Sequence, residues 1–239
     1  MKTVLITGAN KGIGFETAKQ LAQLGYFVYL GSRDSAKGIS AVNKLKESGN
    51  SNVEFIEIDV TNAGSIKRAR QELESKIDAL DVLINNAGIG GGMPQNLSSI
   101  NMENLRRVFE TNFFGAVQTT QQFIELLKKS ASPAIVNVSS GLGSLALQSS
   151  TTNPNYRLYD AYSSSKTALN AFTVMLANEF KSTKFKINSV SPGYTATDLN
   201  NFQGTQTLEQ GAKPVVKAAT IDDEKVTGKF FYEENEIPW

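Results

Sequence analysis

Tyr162 and Lys166 stand four residues apart in a stretch whose apolar residues recur at helical spacing. On a helix, this spacing brings both side chains to one face. A nearby ammonium group favours the phenolate form of a tyrosine and lowers its pKa from the reference value of about 10. The pair therefore predicts an acid–base device near neutral pH. The same spacing is also typical of an ordinary amphipathic helix, so the rest of the chain must decide between the two interpretations.

The composition limits the other chemistry available to this chain. Its 239 residues include no cysteine and no histidine, which excludes disulfides, thiol nucleophiles, zinc sites that contain histidine and triads that use imidazole. We expect no metal site, and acid–base chemistry must use Tyr, Lys, Asp or Glu. The formal net charge of +1 gives no electrostatic reason to expect a nucleic acid or an anionic membrane as a partner. A small molecule is the expected partner.

The length and the first residues predict one domain in the cytoplasm. Residues 1–239 are enough for one large α/β domain with a buried core. The apolar run at residues 3–7 is too short for the core of a signal peptide, and no apolar run reaches membrane-spanning length. We therefore expect a soluble cytoplasmic protein.

Short apolar runs alternate with helical patterns along the whole chain. Buried strands are predicted at residues 3–7, 26–30, 53–58, 82–84, 134–138, 185–190 and 229–232, and helices at residues 12–24, 35–48, 62–80, 101–129 and 208–219 and around Tyr162. Right-handed crossovers stack such strands into one sheet. The predicted fold is a single-domain Rossmann-type doubly wound parallel sheet of about seven strands, with helices on both faces.

The turn after the first strand is rich in glycine and reads Thr7-Gly8-Ala9-Asn10-Lys11-Gly12-Ile13-Gly14. Glycines there allow backbone N–H groups to approach a phosphate at the positive end of the following helix. The spacing Gly-x-x-x-Gly-x-Gly differs from the Gly-x-Gly-x-x-Gly of the general dinucleotide fingerprint. A pyrophosphate site is one interpretation, and a bare turn between strand and helix is the other.

Arg33 and Asp34 follow the second strand, at the position where an adenosine ribose is normally bound. An acid at this position binds a free 2′-hydroxyl, whereas the planar fork of arginine matches a 2′-phosphate. Arg33, together with Lys11 of the first turn, favours NADP over NAD. Asp34 keeps the alternative open, because its carboxylate could take the role of the acid.

Polar residues also follow the third, fourth and fifth strands, at the sheet edge where open α/β folds bind ligands. Asp59 ends the third strand. Asn85 opens the run Asn85-Asn86-Ala87-Gly88, and either ties neighbouring strands together or contacts a ligand. Asn112 lies within a long helical pattern, where it marks either a kink or a polar group aimed inward. A glycine-rich loop at residues 90–92 and the pair Ser139-Ser140 complete this edge.

Six motifs together resemble the short-chain dehydrogenase/reductase family over essentially the whole chain. They are the turn with Gly8, Gly12 and Gly14, the run Asn85-Asn86-Ala87-Gly88, Asn112, Ser140, the Tyr162-x-x-x-Lys166 pair and Pro192-Gly193. Within the family, Thr197-Asp198-Leu199, Glu209-Gln210-Gly211-Ala212 and Gly228-Lys229-Phe230 with a terminal Trp239 resemble the NADPH-dependent carbonyl reductase branch.

The resemblance implies a role for each matching residue. Tyr162 is implied to donate a proton to the substrate oxygen. Lys166 is implied to bind the nicotinamide ribose and to lower the pKa of Tyr162. Ser140, preferred over Ser139, is implied to hydrogen-bond the carbonyl, and Asn112 to hold a water that connects Lys166 to solvent.

The cofactor that the resemblance implies is NADP(H). Asp59 is implied to accept from the adenine amino group, Val60 to offer a backbone contact, and Thr195 and Thr197 to touch the nicotinamide amide and the phosphates. The full set of implied cofactor residues is Gly8, Asn10, Lys11, Gly12, Ile13, Gly14, Arg33, Asp59, Val60, Asn86, Ala87, Gly88, Tyr162, Lys166, Pro192, Gly193, Thr195 and Thr197.

One departure from the family pattern concerns the substrate side. More residues separate Ser140 from Tyr162 than in most of the family, so the segment 142–159 carries an insertion. Residues 1–140 are implied to bind the dinucleotide, and residues 141–159 and 194–210 to contribute the substrate-binding elements. The extra loop could narrow the pocket or obstruct helix packing between subunits, so the oligomeric state, monomer or homo-oligomer, is left open.

The favoured function is the NADPH-dependent reduction of aldehydes, ketones or quinones. An alcohol or steroid dehydrogenase working in the oxidative direction would use the same residues. A non-catalytic NADP-binding regulator is the third alternative, and it is disfavoured because Ser140, Tyr162 and Lys166 are all present.

Overall fold

The computed structural model describes residues 1–150, 159–233 and 235–239, which form an eight-stranded sheet with the order β3-β2-β1-β4-β5-β6-β7-β8. β1 to β7 run parallel, and β8 pairs antiparallel with β7. The predicted doubly wound parallel sheet is confirmed, with β8 as an additional edge strand that was not predicted. The strands are Thr3–Ile6 (β1), Phe27–Ser32 (β2), Val53–Glu57 (β3), Val82–Asn85 (β4), Ala134–Val138 (β5), Lys186–Ser191 (β6), Phe230–Tyr232 (β7) and Asn235–Glu236 (β8).

Helices connect successive strands and cover both faces of the sheet. β1 shows why the strands are continuous apolar runs. Val4 and Ile6 belong to one buried cluster, and Leu5, between them, belongs to the other. A strand that is buried on both faces favours apolar side chains at successive positions. The helices are Gly12–Gln23 (α1), Ser35–Glu47 (α2), Ala63–Glu74 (α3), Met102–Phe109 (α4), Gly115–Leu127 (α5), Leu145–Gln148 (α6), Asp160–Glu179 (α7) and Leu208–Ala219 (α8).

The two clusters divide the helices between the faces. The first cluster joins side chains of α1, α2 and α8, and the second joins side chains of α3, α5 and α7. The strand order reverses beside β1, because the chain first moves outward to β3 and then returns to β4. The loops after β1 and β4 therefore diverge and open a crevice at the carboxyl edge, which is where open α/β sheets bind ligands.

The predicted helix over residues 101–129 is interrupted in the structure. A π-helical turn, Glu110–Phe114, separates α4 from α5. Gly115 follows this turn, and its backbone packs against the segment after β3, since a Cβ on Gly115 would lie 2.8 Å from Val60 Cγ2. Single π turns are frequent at functional sites, and this one carries Asn112.

Two predicted boundaries are wrong for reasons that depend on neighbouring elements. β2 continues to Ser32 because Gly31 and Ser32 pair with Ile56 and Glu57 of β3. The helix predicted to reach residue 80 ends at Glu74, and Leu80 is instead buried in a loop whose N–H donates to the Leu126 carbonyl.

The insertion predicted over residues 142–159 is only partly described. Residue 148 ends the short helix α6, and residues 151–158 lie outside the described part of the chain. Within the described ranges, no helix combines the length and the apolar character needed to cross a membrane, and no cluster of three or more acidic side chains is placed to hold a metal ion.

Candidate active site

A groove of about 620 Å³ lies at the carboxyl edge of the sheet. It is lined by residues that follow β1 to β6 and by the first turns of α7. The parallel topology thus brings distant parts of the sequence to one surface. The sequence-predicted residues that line it are Gly8, Asn10, Lys11, Gly12, Ile13, Gly14, Arg33, Asp59, Val60, Asn86, Ala87, Gly88, Tyr162, Lys166, Pro192 and Thr197.

One end of the groove meets the amino terminus of α1. The residue that precedes α1, Lys11, makes no side-chain cap, whereas Asp34, Asn62 and Thr207 cap α2, α3 and α8. The first N–H groups of a helix have no partner within the helix and carry the positive end of its dipole. An uncapped helix that opens into a groove is suited to bind an anionic group such as a phosphate.

The glycines of this turn are required by close packing as well as by backbone conformation. Gly8 has a φ of +63°, and a Cβ at this position would lie 2.9 Å from Ala87 Cα. A Cβ on Gly14 would lie 2.4 Å from Asn86 Nδ2. That nitrogen donates to the carbonyls of Thr7 and Gly8, at 2.8 and 3.1 Å. The side chain of Asn86 therefore holds the turn in place.

Arg33 and Asp34 have different surroundings. Arg33 is exposed and lines the groove directly after β2. The Asp34 carboxylate accepts the Lys37 N–H at 3.0 Å, and its other oxygen lies 3.1 Å from Lys37 Nζ. The backbone hydrogen bond from Lys37 lowers the pKa of Asp34. Asp34 therefore caps α2, which weakens the alternative that it binds a ribose hydroxyl.

Asp59 and Val60 form the wall of the groove after β3. Asp59 Oδ1 accepts both the N–H and the hydroxyl of Thr61, at 2.9 and 2.8 Å. The carboxylate is thereby fixed in orientation at the groove surface, where it can accept a further donor. Val60 is buried and lines the groove beside it.

Two charged side chains face each other across the groove mouth. Lys11 Nζ lies 3.2 Å from Asp198 Oδ2, and both side chains are more than half exposed. Thr197, just before Asp198, lies against the glycine turn, since a Cβ on Gly12 would be 3.9 Å from Thr197 Cγ2. The segment after β6 therefore closes over the turn after β1.

The predicted acid–base residues meet at the other end of the groove. Tyr162 and Lys166 lie one turn apart near the start of α7, and Lys166 Nζ is 5.6 Å from the centre of the Tyr162 ring. Ser140 follows β5, its Oγ accepts the Leu142 N–H at 3.2 Å, and the side chain lies close enough to Tyr162 to lower the pKa of that phenol. The lysine is 3% exposed and donates from Nζ to the Val138 carbonyl at 2.7 Å.

The pKa of Tyr162 is raised in this geometry, whereas the pair Tyr162 and Lys166 predicts a lowered one. Burial raises the pKa of Tyr162 to about 12, and the hydrogen bond from Ser140 opposes that rise only in part. Burial also lowers the pKa of Lys166 to about 8. Burial is thus the main cause of both shifts in pKa. Tyr162 is consequently a neutral phenol, able to donate a proton, throughout the ordinary pH range.

Ser139 and Ser140 have separate roles in the structure. Ser139 is 1% exposed, and its hydroxyl donates to the Lys166 carbonyl at 3.4 Å. Ser140 instead contacts the Tyr162 side chain. The pair thus places one hydroxyl on the backbone of α7 and the other beside Tyr162. Ser139 rather than Ser140 is among the residues that line the groove, so the choice of Ser140 over Ser139 stays a prediction.

Asn112 is aimed inward from the π turn, so both sequence interpretations of it hold. Its Oδ1 accepts the Ile89 N–H at 2.8 Å, and its Nδ2 donates to the Ile89 carbonyl and to Ser165 Oγ, both at 3.0 Å. The amide therefore joins the wall after β4 to α7. Asn85 has a purely internal role, since its Nδ2 donates to Thr120 and Asn137.

Two predicted cofactor residues do not line the groove. Thr195 is 3% exposed, donates to the Pro192 carbonyl at 3.0 Å, and faces α8, where a Cβ on Gly211 would lie 2.2 Å from its hydroxyl. Gly193 has a φ of +75°, and a Cβ on it would meet Gln206. The tight turn after β6 directs both residues away from the groove and leaves Pro192 and Thr197 at its surface.

Several groove residues are not singled out by the sequence prediction, although Tyr159 and Leu199 lie in the segments 141–159 and 194–210 that it assigns to substrate binding. Ile89, Met93, Tyr159 and Leu199 give the end near Tyr162 an apolar surface. Gln95 lies behind that surface and contacts the backbone of Tyr162. Apolar loop residues and a lone glutamine carry no spacing signal, so only the folded chain identifies them.

Comparison with known proteins agrees with this geometry. The family model described as short chain dehydrogenase matches residues 2–207. A (+)-neomenthol dehydrogenase from Capsicum annuum is 34% identical over an aligned length of 298 positions, gaps included, and the alignment covers 95% of this chain and 94% of that protein. A salutaridine reductase from Papaver bracteatum is 33% identical over an aligned length of 300 positions, and that alignment covers 99% of this chain and 96% of that protein.

Two solved structures share the fold over nearly the whole chain. The salutaridine reductase from Papaver somniferum superposes with a TM-score of 0.84 at 32% identity, covering 98% of this chain and 100% of that one. The NADPH-bound carbonyl reductase from chicken fatty liver superposes with a TM-score of 0.87 at 27% identity, covering 100% and 94%.

Proposed function

Because this chain belongs to the short-chain dehydrogenase/reductase family of oxidoreductases, we propose that it reduces aldehydes, ketones or quinones with NADPH. The observation that carries the proposal is the meeting of Ser140, Tyr162 and Lys166 at one end of a groove whose other end is an uncapped helix. This arrangement places a proton donor and an anion site on one continuous surface.

The groove fits a dinucleotide in three respects. The α1 terminus offers free N–H groups, the three glycines of the turn carry no Cβ, and Arg33 lies at the ribose position. NADPH, when bound, supplies the hydride for the carbonyl carbon. The proposed contacts are Gly8 to Gly14 with the phosphates, Arg33 and Lys11 with the 2′-phosphate, Asp59 and Val60 with the adenine, Asn86 to Gly88 with the adenosine ribose, and Pro192 and Thr197 with the nicotinamide side.

The chain's own residues then act on the carbonyl oxygen. Negative charge develops on this oxygen during reduction, and hydrogen bonds from Ser140 and Tyr162 stabilise it where it appears. Tyr162 then transfers its proton to the oxygen. The raised pKa of Tyr162 keeps the phenol protonated until the substrate oxygen becomes the stronger base.

Lys166 and Asn112 are proposed to support Tyr162. Lys166 Nζ lies near Gly88, since a Cβ on that glycine would be 3.6 Å away, and we propose that the ammonium binds the nicotinamide ribose from this position. Its charge also stabilises the phenolate that remains after proton transfer. Asn112 is proposed to hold a water between Lys166 and solvent, through which the proton of Tyr162 is replaced.

The substrate is proposed to enter between residues 141–159 and 194–210. Within the described parts of these segments, Tyr159 and Leu199 line the groove together with Ile89 and Met93, and these four side chains form an apolar part of its surface. An apolar wall around a pair of hydrogen-bond donors suits an uncharged carbonyl compound. Oxidation of an alcohol would use the same residues in reverse, and the ratio of oxidised to reduced cofactor sets the direction.

The first prediction concerns the choice of cofactor. We expect NADPH to support reduction of a panel of aldehydes, ketones and quinones at least about tenfold better in kcat/KM than NADH, a difference of ~1.4 kcal/mol. The physical reason is the planar fork of Arg33, which can bind a 2′-phosphate with two hydrogen bonds. Arg33→Ala should reduce the preference by about 10-fold, measured from the loss of reduced-nicotinamide absorbance.

Lys44→Ala is the matched control, because Lys44 is an exposed cation of α2 that does not line the groove. It should leave the preference unchanged. An unaltered NADPH-to-NADH ratio in Arg33→Ala would reject the role of Arg33, and a wild-type chain that reduces no member of the panel with either cofactor would reject the proposed function.

A further inference from the structure

Gln95 is a buried amide that joins the wall of the groove to α7. Only 1% of the surface of Gln95 is exposed to solvent. Nε2 donates to the Gly90 carbonyl at 2.7 Å, and Oε1 accepts the backbone N–H of Tyr162 at 3.1 Å. A carbonyl can only accept and an N–H can only donate, so these two partners fix the orientation of the amide.

The N–H of Tyr162 needs a partner from outside its helix. It belongs to the first turn of α7, where N–H groups have no acceptor within the helix. Tyr159, which precedes α7, makes no side-chain cap. Gln95 supplies the acceptor from 67 positions away in the sequence. The start of the helix that carries the proposed proton donor is therefore capped by a residue that lies behind the groove wall.

The carbonyl of Tyr162 is held by a second amide through a serine. Ser165 Oγ donates to the Tyr162 carbonyl at 2.7 Å and accepts from Asn112 Nδ2 at 3.0 Å. Asn112 also binds both backbone groups of Ile89. The consecutive residues Ile89 and Gly90 are thus each tied, through one buried amide, to the backbone of Tyr162.

From this network we infer that Gln95 is a positioning residue for the proton transfer, an inference that rests on the proposed function. Gln95 acts through the backbone of Tyr162. It sets the distance between the phenol and the wall at residues 89–91, against which a substrate lies. A displacement of the reacting groups by about 1 Å can lower a rate by ~100-fold, so the loss of this clamp should appear in kcat.

The test compares Gln95→Met with the wild type. Methionine keeps the length of the side chain and its burial but forms neither hydrogen bond. We expect kcat for a carbonyl substrate to fall about 10- to 100-fold, while the KM for NADPH stays within about twofold, because Gln95 does not line the groove. Hydrogen exchange of the peptide 159–166, followed by mass spectrometry, should become faster.

Two further variants sharpen the test. Gln95→Glu keeps an acceptor for the Tyr162 N–H and loses the donor to the Gly90 carbonyl. Its kcat should therefore lie between that of the wild type and that of Gln95→Met. Asn104→Met is the matched control, because Asn104 clamps Gly92 of the same loop with hydrogen bonds of 2.9 and 2.8 Å and reaches no residue of α7 through them. Its kcat and its exchange at 159–166 should match the wild type.

The inference is overturned if Gln95→Met keeps kcat within about twofold of an active wild type, if Asn104→Met loses as much activity, or if Gln95→Glu is no better than Gln95→Met. Should Gln95→Met not fold, the comparison of Gln95→Glu with Asn104→Met decides in the same way. If the wild type reduces no carbonyl, the proposed function has failed. Hydrogen exchange can be measured without catalytic activity. If exchange of the peptide 159–166 is the same in Gln95→Met and the wild type, Gln95 does not hold the start of α7 in place.

Discussion

Tyr162→Phe should lower kcat/KM for carbonyl reduction by at least about 10³-fold and leave the affinity for NADPH within about threefold. General acid catalysis contributes typically 10²- to 10⁴-fold, and loss of one donor to a developing oxyanion costs about 10²- to 10³-fold. Tyr162 supplies both contributions with one hydroxyl, so they disappear together. Phenylalanine keeps the ring beside Lys166, so the fold and the cofactor site should remain intact.

The measurement combines steady-state kinetics with calorimetric titration of NADPH. Tyr26→Phe is the matched control, since Tyr26 is a buried phenol that lies before β2, at the opposite edge of the sheet. It should keep kcat/KM within about twofold. Equal turnover by Tyr162→Phe and the wild type would contradict the role of Tyr162 and show that another group protonates the product. That group could not be a histidine or a cysteine, because the chain contains neither.

Lys166→Met should abolish most activity while making the folded chain more stable at pH 7. The pKa of Lys166 falls from the ordinary 10.5 to about 8 because burial disfavours its charge. Below pH 8 the Lys166 ammonium stays protonated in the folded chain although it is buried. At 1.36 kcal/mol per pKa unit, this buried charge lowers the free energy of unfolding by about 3 kcal/mol. Methionine removes this cost but leaves the Val138 carbonyl without its donor, worth about 1 kcal/mol. A net gain of roughly 1–2 kcal/mol is expected.

The pH dependence of that gain follows from the direction of the shift. Between pH 8 and 10.5 the unfolded chain holds the lysine proton and the folded chain releases it, so wild-type stability rises with pH. The advantage of Lys166→Met should therefore be largest at pH 7 and shrink toward pH 10. Urea unfolding at both values measures it. A variant less stable than the wild type at pH 7 would contradict this account of Lys166.

The effect on function has two parts. NADPH affinity should fall by about tenfold, as for the loss of one charge-assisted hydrogen bond, and kcat by about 10²-fold or more. Lys186→Met is the matched control, because Lys186 is also 3% exposed, has a pKa lowered mainly by burial, and lies at the other end of the sheet. It should keep full activity. Normal NADPH affinity in Lys166→Met would exclude the ribose contact.

Much of the fold could be predicted because its strands carry their own signal. A strand buried on both faces is a short apolar run, and β5 and α8 begin and end where the sequence predicts. The pairing that lengthens β2 and the antiparallel strand β8 depend on neighbours. Such pairing cannot be predicted from the residues of one segment alone, because it depends on which strand lies beside it.

The site divides in the same way. The residues around Tyr162, Arg33 and the glycine turn were predictable because strand ends and helical spacing fix where they lie. Thr195 was misplaced because one tight turn decides which side chains face the groove. Gln95 was missed because its contact with Tyr162 spans 67 positions and follows no period. The pKa of Tyr162 could not be predicted either, since burial is a property of the folded chain.

The most direct test of the central claim follows the hydrogen that is transferred. NADPH deuterated at both C4 positions of the nicotinamide is incubated with the chain and the carbonyl panel, and the alcohol products are analysed by mass spectrometry. The account predicts one deuterium on the former carbonyl carbon with the wild type, and a rate of labelling at least about 10³-fold lower with Tyr162→Phe. Products without deuterium, or equal labelling by both chains, would contradict it.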